Sequence, residues 1–148
     1  MGMIMEKYRQ GIFIVTYCLN SDRIKYLILK RKLHWSGWEF PKGGKKPSES
    51  YEKGVRREIF EETGRKPLKI INLKVNGKYK YPKKLKDRPG VVGQTYKLYA
   101  VKIKKGRILF DGKEHKNYEW VDFKKAMKKL TWENQRKCLK VVDNFLKR

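Results

Sequence analysis

The chain contains 148 residues, of which 39% are hydrophobic, and this predicts one domain, residues 1–148, with one packed core. Thirty-nine basic residues and fifteen acidic ones give a formal net charge of +24. Such a charge attracts anions such as polyphosphates, RNA or anionic lipid. The alternative is that the charge only reflects a lysine-rich composition. The two cysteines are far apart, which excludes a disulfide framework and a cysteine metal site. No run approaches the roughly 18 apolar residues of a membrane span. We therefore expect a cytoplasmic protein, and no obligate protein partner is inferred.

Strands and helices are expected to alternate along the chain. β-branched and aromatic residues mark strands at residues 11–19, 25–31, 68–80, 91–104 and 118–121. Helical patterns mark residues 48–63, 123–130 and 131–146, and either Ser48 or Ser50 can cap the first of these helices. Residues 34–47 are expected to form a loop, because glycines and prolines interrupt them. Strands mixed with a few helices predict an α/β sandwich.

The first predicted helix carries a cluster of carboxylates. Glu58, Glu61 and Glu62 are spaced i, i+3 and i+4, so they share one face of the helix. Like charges in this arrangement repel each other, which favours a cation between them. Carboxylate oxygens bind Mg²⁺ or Mn²⁺ in preference to zinc. The alternative is a solvated acidic face that offsets the many lysines.

The wider spacing resembles the Nudix box, Gly-x5-Glu-x7-Arg-Glu-aliphatic-x-Glu-Glu-x-Gly-aliphatic. Gly43 is followed by five residues and Glu49, and seven more residues lead to Arg-Glu-Ile-Phe-Glu-Glu-Thr-Gly at positions 57–64. The last position differs, since Arg65 replaces an aliphatic residue that packs rather than reacts. The resemblance to the Nudix (MutT-like) hydrolases implies the Nudix fold, a mixed β-sheet sandwiched between α-helices.

The resemblance also implies a metal centre with two to three Mg²⁺ ions, with Mn²⁺ as the alternative ion. Glu58 and Glu62 are implied as direct ligands, and Glu61 as a direct or water-mediated ligand. The backbone carbonyl of Gly43 completes this set. Two ions held in this way activate water for attack on a phosphate anhydride.

Attack by water also needs a general base. Glu58 is the first choice, and Glu114, in a late loop, is implied as the base or as a further metal ligand. Asp111 and Glu119 compete with Glu114 for that role. Arg57 is assigned to the catalytic set, and it can reach back toward Glu49 and Glu52 at the start of the helix; the alternative is an ordinary surface cation.

The segments around the box resemble two Nudix branches, the asymmetric dinucleoside tetraphosphate (Ap4A) hydrolases and the bacterial RNA 5′-pyrophosphohydrolases. The similar segments are residues 37–44, 81–85, 93–99 and 114–120. A nucleobase needs a flat aromatic surface, and Tyr81 and Trp132 are the candidates, with core packing as the alternative for Trp132. Lys42, Lys83 and Lys84 are expected to hold phosphates, although a lysine in so basic a chain is often only a solvated charge.

The sequence leaves several functions open. Asymmetric cleavage of dinucleoside polyphosphates is the preferred function, because Glu114-His115 with Tyr118 and Trp120 resembles the animal-type Ap4A hydrolases. Removal of pyrophosphate from triphosphorylated RNA 5′ ends is favoured by the net charge of +24. Other nucleoside diphosphate derivatives and inositol pyrophosphates are further substrates. A non-catalytic, nucleic-acid-binding Nudix domain is disfavoured, because such a module has no need of its three box glutamates.

Overall fold

A computed structural model describes residues 6–148, and the first five residues of the predicted domain lie outside the described residues. Within residues 6–148, seven strands form one sheet that packs against three helices. The strands are β1 (Lys7–Asn20), β2 (Arg23–Arg31), β3 (Gly37–Glu39), β4 (Lys42–Gly44), β5 (Lys69–Lys80), β6 (Val91–Lys102) and β7 (His115–Val121). The helices are α1 (Tyr51–Thr63), α2 (Phe123–Lys129) and α3 (Glu133–Leu146).

The sheet is mixed, because β1 runs parallel to β6 whereas the other paired strands are antiparallel. The strand order is β3-β2-β1-β6-β5, with β4 paired to β1 and β7 paired to β2. β1 and β2 form the hairpin that the sequence predicts, with Tyr17 opposite Tyr26. The short strand β4 places Gly43 opposite Ile12 of β1, so the backbone of the Gly-rich segment lies directly on the sheet.

Helices cover both faces of the sheet, which confirms the predicted sandwich. On one face, Val55 and Ile59 of α1 are buried in a cluster with Ile12 and Ile14 of β1. On the other face, the cluster contains Leu139 and Val142 of α3 and Ala126 of α2. Each fully buried aliphatic side chain contributes roughly 1.5–3 kcal/mol, so α1 is held on the sheet mainly by its apolar stripe.

The ends of α1 agree with the predicted caps. Ser50, rather than Ser48, is the N-cap, and its hydroxyl oxygen accepts a hydrogen bond of 3.2 Å from the backbone N–H of Lys53. Gly64 ends the helix in the left-handed region, with φ 72°. Such caps stabilise a helix by roughly 1 kcal/mol, and they fix the position of the acidic face along the chain.

The prediction of a loop over residues 34–47 is wrong in part, because β3 and β4 lie within it. Backbone partners on longer strands overcome the low strand propensity of glycine: Trp38 pairs with Lys30 of β2. β7 also begins at His115, earlier than predicted. No helix within residues 6–148 has both the length and the apolar composition needed to cross a membrane.

Candidate active site

A cavity of about 770 Å³ opens where β4, α1, the loop after β5 and the start of α3 meet. Its lining contains nearly all of the residues that the sequence analysis singles out: Lys42, Gly43, Arg57, Glu58, Glu61, Glu62, Tyr81, Lys83, Glu114 and Trp132. Lys84 and Glu119 do not contribute to the lining, and Lys84 is exposed on the same loop as Lys83. Residues that are distant in the chain therefore form one surface.

Two of the three clustered glutamates on α1 are buried, which makes their charges costly. Glu58 is 6% exposed and Glu62 is 4% exposed, whereas Glu61 is exposed. Burial raises the pKa of Glu58 to about 7, although Arg57 opposes the shift. Burial also raises the pKa of Glu62. Since burial disfavours the charged form of a carboxylate, a bound cation would stabilise both groups in their charged state, in addition to the contacts with Arg57 and His115.

Gly43 allows the backbone of β4 to lie against Glu58. A Cβ atom at this position would collide with the carboxyl carbon and both carboxyl oxygens of Glu58. The Glu58 carboxylate therefore occupies the space that a side chain at position 43 would fill. This contact gives a physical reason for a glycine at the first position of the box.

Glu62, Glu114 and His115 offer ligand atoms that all lie within 4.8 Å of one another. The Oε2 atom of Glu62 is buried and has no hydrogen-bond partner in the described part of the chain. The same holds for Nδ1 of His115, which lies 3.3 Å from that oxygen without hydrogen-bond geometry. Buried polar atoms are normally satisfied, so these two orphaned atoms and the carboxylate donors fit a divalent cation.

Arg57 ties the acidic helix to the loop before it. Its guanidinium donates to Glu49 at 2.6 Å, to Glu58 at 2.8 Å and to the carbonyl oxygen of Gly44 at 2.7 Å. Glu49 holds the pKa of Arg57 above its usual range. The predicted reach of Arg57 toward Glu49 is confirmed, whereas Glu52, the other candidate, pairs with Arg56 at 3.2 Å. Arg57 thus holds the Glu58 carboxylate against the end of β4, the strand that carries Gly43.

A buried carboxylate on β3 lies beneath the acidic cluster, and the sequence analysis did not identify it. Glu39 is fully buried, and its Oε2 atom lies 2.9 Å from Arg31 and 2.7 Å from His115. Its other oxygen lies 3.3 Å from Lys42, one of the predicted phosphate ligands. Burial opposes ionisation of Glu39, but Lys42, His115 and Arg31 lower its pKa to about 2. An acidic residue between Trp38 and Phe40 is the signal that was available.

The fully buried His115 connects this carboxylate to the α1 glutamates. Burial disfavours its protonation, but its contacts with Glu39 and Glu62 raise the pKa of His115 to about 9. The imidazolium is therefore the favoured form at neutral pH in the absence of a competing cation. One ring nitrogen contacts Glu39 and the other is directed to Glu62, so the ring links two layers of carboxylates.

The loop that carries Glu114 is held by backbone contacts. The carbonyl oxygen of Glu114 accepts hydrogen bonds from the N–H groups of Lys32, at 2.8 Å, and Leu33, at 3.3 Å. Of its competitors, Asp111 also lines the cavity, but Glu119 pairs with Lys129 at 2.8 Å and does not contribute to the lining. The geometry therefore leaves Glu114 and Asp111 as the late-loop carboxylates within reach of the cavity.

Two aromatic pairs lie on the cavity wall. Trp132 meets Trp35 edge to face, with ring centroids 5.1 Å apart, and Tyr81 meets Tyr79 in the same manner at 6.1 Å. Trp132 is 38% exposed, so it is not a core residue. Trp35 could not be recognised as a candidate from the sequence, because a tryptophan in a loop has no distinguishing pattern. Flat surfaces are thus present at two places in one cavity.

Arginines add positive charge to the same cavity. Arg9 and Arg88 both line it, and burial together with the charge of Arg88 lowers the pKa of Arg9. The guanidinium of Arg88 donates a hydrogen bond of 2.8 Å to the hydroxyl oxygen of Tyr81. No residue between 6 and 148 forms an ion pair with Arg9 within 4.0 Å. These cations were hidden in the sequence by the many other basic residues.

A mixed sheet between helices, with a glutamate cluster on the helix that follows a Gly-rich strand, defines the chain as a Nudix domain. The family model described as NUDIX domain matches residues 7–142, and the chain belongs to this family. The prediction of the family and of its fold is confirmed. The box glutamates Glu58 and Glu62 thus lie on the matched segment and at the cavity wall.

The chain is similar to curated RNA pyrophosphohydrolases. That of Erwinia tasmaniensis is 33% identical over 104 residues, which cover 66% of this chain and 57% of that protein. That of Escherichia coli is 33% identical over 107 residues, which cover 68% and 58%. The chain thus spans less than two thirds of the length of these relatives. A binary complex of the Caenorhabditis elegans Ap4A hydrolase has the same fold, with a TM-score of 0.73 at 20% identity over 93% of this chain and 97% of that one.

Proposed function

We propose that this protein hydrolyses a phosphate anhydride in a nucleotide substrate, with a divalent cation as its cofactor. The observation that carries the proposal is the convergence of Glu58, Glu62 and Glu114 on one cavity, with the orphaned Glu62 oxygen directed into that cluster. Carboxylates that converge on one cavity repel each other, which a divalent cation would relieve, and oxygen donors favour Mg²⁺, with Mn²⁺ as the alternative. Two to three such ions are expected.

The ligand set proposed for these ions is Glu58, Glu61, Glu62, Glu114 and the carbonyl oxygen of Gly43. The bound ions would neutralise phosphate charge and acidify water. Side chains of the protein position the reacting groups and accept the proton. Arg57 holds the carboxylate of Glu58 in place, and Glu58 or Glu114 accepts the proton of the attacking water. Lys42 and Lys83 line the same cavity, where they would meet the substrate phosphates.

The first candidate substrate is the triphosphorylated 5′ end of an RNA, which reverses the order of the two substrates that the sequence alone favours. The relatives at 33% identity that are named RNA pyrophosphohydrolase support this choice. The net charge of +24 supports it as well, because a long polyanion contacts more cations than a free nucleotide does. Arg9 and Arg88 add charge at the cavity, where the 5′ phosphates would lie.

The second candidate is a dinucleoside polyphosphate such as Ap4A. The specific observation in its favour is the presence of two aromatic pairs, Trp35 with Trp132 and Tyr79 with Tyr81, on one cavity wall. A substrate with a base at each end can use both pairs. An RNA 5′ end can also stack its first two bases on them, so the pairs favour nucleotides in general and Ap4A only in part.

The reaction is tested with Glu62→Gln. We expect hydrolysis to fall by at least about 100-fold, and Mn²⁺ binding, followed by electron paramagnetic resonance, to weaken, while the circular dichroism spectrum stays unchanged. Chelation by EDTA should abolish wild-type hydrolysis, and added Mg²⁺ should restore it. Turnover at the wild-type rate by Glu62→Gln in Mg²⁺ would refute the proposed ligand set.

The substrate is tested by comparing kcat/KM for triphosphorylated RNA and for Ap4A at two salt concentrations. For RNA we expect the higher value and a steep decrease with salt, because phosphate contacts release counterions. A higher value for Ap4A with little salt dependence would reverse the order of the candidates. RNA binding without hydrolysis of either compound would identify a non-catalytic Nudix domain.

A further inference from the structure

The face of the sheet that packs against α1 extends beyond the helix. α1 covers Ile12 of β1 and Tyr99 of β6, and side chains alternate along a strand, so positions an even number of residues away point to the same side. This uncovered part is called the open face. It consists of Tyr8 on β1, Thr95 and Lys97 on β6, and Asn76, Lys78 and Lys80 on β5.

Aromatic rings hold two lysines of the open face in position. The Nζ atom of Lys78 lies 4.4 Å from the ring centroid of Tyr8, and that of Lys97 lies 4.2 Å from the ring centroid of Tyr51. Lys45 lies 5.5 Å from the same Tyr51 ring. A cation above an aromatic ring is attracted by its electron-rich face. These ammonium groups are therefore more confined than those of an ordinary solvated lysine.

Carboxylates do not neutralise these lysines. Within residues 6–148, no acidic side chain lies within 4.0 Å of Lys45, Lys78 or Lys97, although Glu6 pairs with Lys80 at 3.2 Å. On the opposite side of the sheet, Lys129 pairs with Glu119, whereas Lys128 and Lys140 have no carboxylate within 4.0 Å in residues 6–148. Lys78 and Lys97 of the open face thus carry positive charge without a carboxylate partner in residues 6–148.

The open face is continuous with the cavity. Lys80 belongs to the open face and also lines the cavity. Lys45, which shares the Tyr51 ring with Lys97, lines the cavity as well. A polyanion whose end lies in the cavity can therefore leave across the open face without crossing an uncharged region.

We propose that the open face binds the phosphodiester backbone of single-stranded RNA beyond the 5′ end that the cavity holds. This inference rests on the proposed function. Single-stranded nucleic acids are bound by cations that follow the backbone together with aromatic side chains, and the open face combines both. A membrane surface fits it less well, because stable membrane attachment uses large apolar side chains that insert, and the open face carries none.

The test compares Lys78→Glu/Lys97→Glu with Lys128→Glu/Lys140→Glu, which changes the net charge equally at exposed lysines of α2 and α3. Binding is measured by fluorescence anisotropy in EDTA for three RNAs. One is a triphosphorylated dinucleotide, and the other two are about 12 nucleotides long and begin with a triphosphate or with a hydroxyl group. The open-face variant should bind both long RNAs at least about tenfold more weakly, with a salt slope smaller by about 1.4, and the dinucleotide unchanged. The control should bind all three RNAs like the wild type.

Equal losses of long-RNA binding in the two variants would show that the effect depends on net charge alone, and this would overturn the inference. It would also be overturned if the open-face variant lost dinucleotide binding as strongly as long-RNA binding. Loss of binding to phosphatidylserine vesicles with RNA binding intact would assign the open face to membranes instead. Lys78→Gln/Lys97→Gln provides a milder variant if the charge reversals unfold the protein. Hydrolysis of the dinucleotide tests the proposed function separately. If the wild type does not hydrolyse the dinucleotide, but binding of the long hydroxyl RNA still differs between the two variants, only the proposed function is refuted.

Discussion

A buried contact of 2.7 Å joins Oε2 of Glu39 to Nε2 of His115. Glu39 is the last residue of β3 and His115 is the first residue of β7, and both strands pair with β2. Because Arg31 and Lys42 also contact Glu39, this carboxylate balances three cationic groups. Removing one partner of a buried ionic group costs more than the pair contributes, since it leaves the other charges without compensation.

We therefore expect Glu39→Gln to lower the free energy of unfolding in urea by about 3–5 kcal/mol. The variant should also bind Mn²⁺ about 10–100-fold more weakly, because His115 no longer holds its orientation toward Glu62. Glu133→Gln is the matched control: its carboxylate is exposed and pairs with Lys137 at 3.6 Å, so unfolding should change by less than about 0.5 kcal/mol. Equal stability of the two variants would contradict the buried network.

Gly43→Ala tests the contact between β4 and Glu58. The added Cβ atom would displace the Glu58 carboxyl group, and we expect kcat/KM to fall by roughly 100-fold, as a misplaced catalytic group does. Gly112→Ala is the control, because a Cβ atom there meets nothing within 4 Å and should leave kcat/KM unchanged. Wild-type activity in Gly43→Ala would show that the carboxyl group can move without loss.

Trp132→Ala and Tyr81→Ala test the aromatic pairs. Each should raise KM more than it lowers kcat, because stacking of a base is worth about 1–3 kcal/mol in binding and does not depend on the reaction step. Phe145→Ala is the control: Phe145 is 39% exposed, close to the 38% of Trp132, but does not line the cavity. If neither aromatic substitution changes KM while both remain folded, the stacking proposal is wrong.

Tyr26→Phe separates stability from activity. The hydroxyl group of Tyr26 donates a hydrogen bond of 2.5 Å to Oδ1 of Asp143, and both residues are buried between the sheet and α3. Loss of the donor leaves a buried carboxylate with Lys147 as its remaining ion-pair partner, so unfolding should become easier by about 1–3 kcal/mol. kcat/KM should stay at the wild-type value, because neither residue lines the cavity.

Local signals explain which elements the sequence predicts well. The caps at Ser50 and Gly64 and the apolar stripe with Val55 and Ile59 all act within α1, so the helix and its acidic face follow from neighbouring residues. β3 and β4 differ, because glycines and a proline disfavour strands locally. Their formation depends on β2 and β1, which the chain supplies from other positions.

The candidate site divides in the same way. Glu58, Glu61 and Glu62 are recognisable by helical spacing, and Gly43 by its distance from them. The partners of Glu39 come from β2, β4 and β7, and no spacing rule connects these elements. Arg9 could not be recognised in the sequence either. Its partial burial at the cavity, without an ion-pair partner in residues 6–148, exists only in the folded chain.

The parallel pairing of β1 and β6 also has a consequence for how the protein folds. Gly11 lies opposite Tyr96, so this pairing joins the start of the chain to its second half. Such long-range closure is slow, because the entropy of the intervening chain is lost before the contacts form. During synthesis, β1 cannot pair with β6 until β6 has left the ribosome, although the β1–β2 hairpin and α1 can form earlier. The cavity, which draws on both ends of this closure, is therefore completed late in folding.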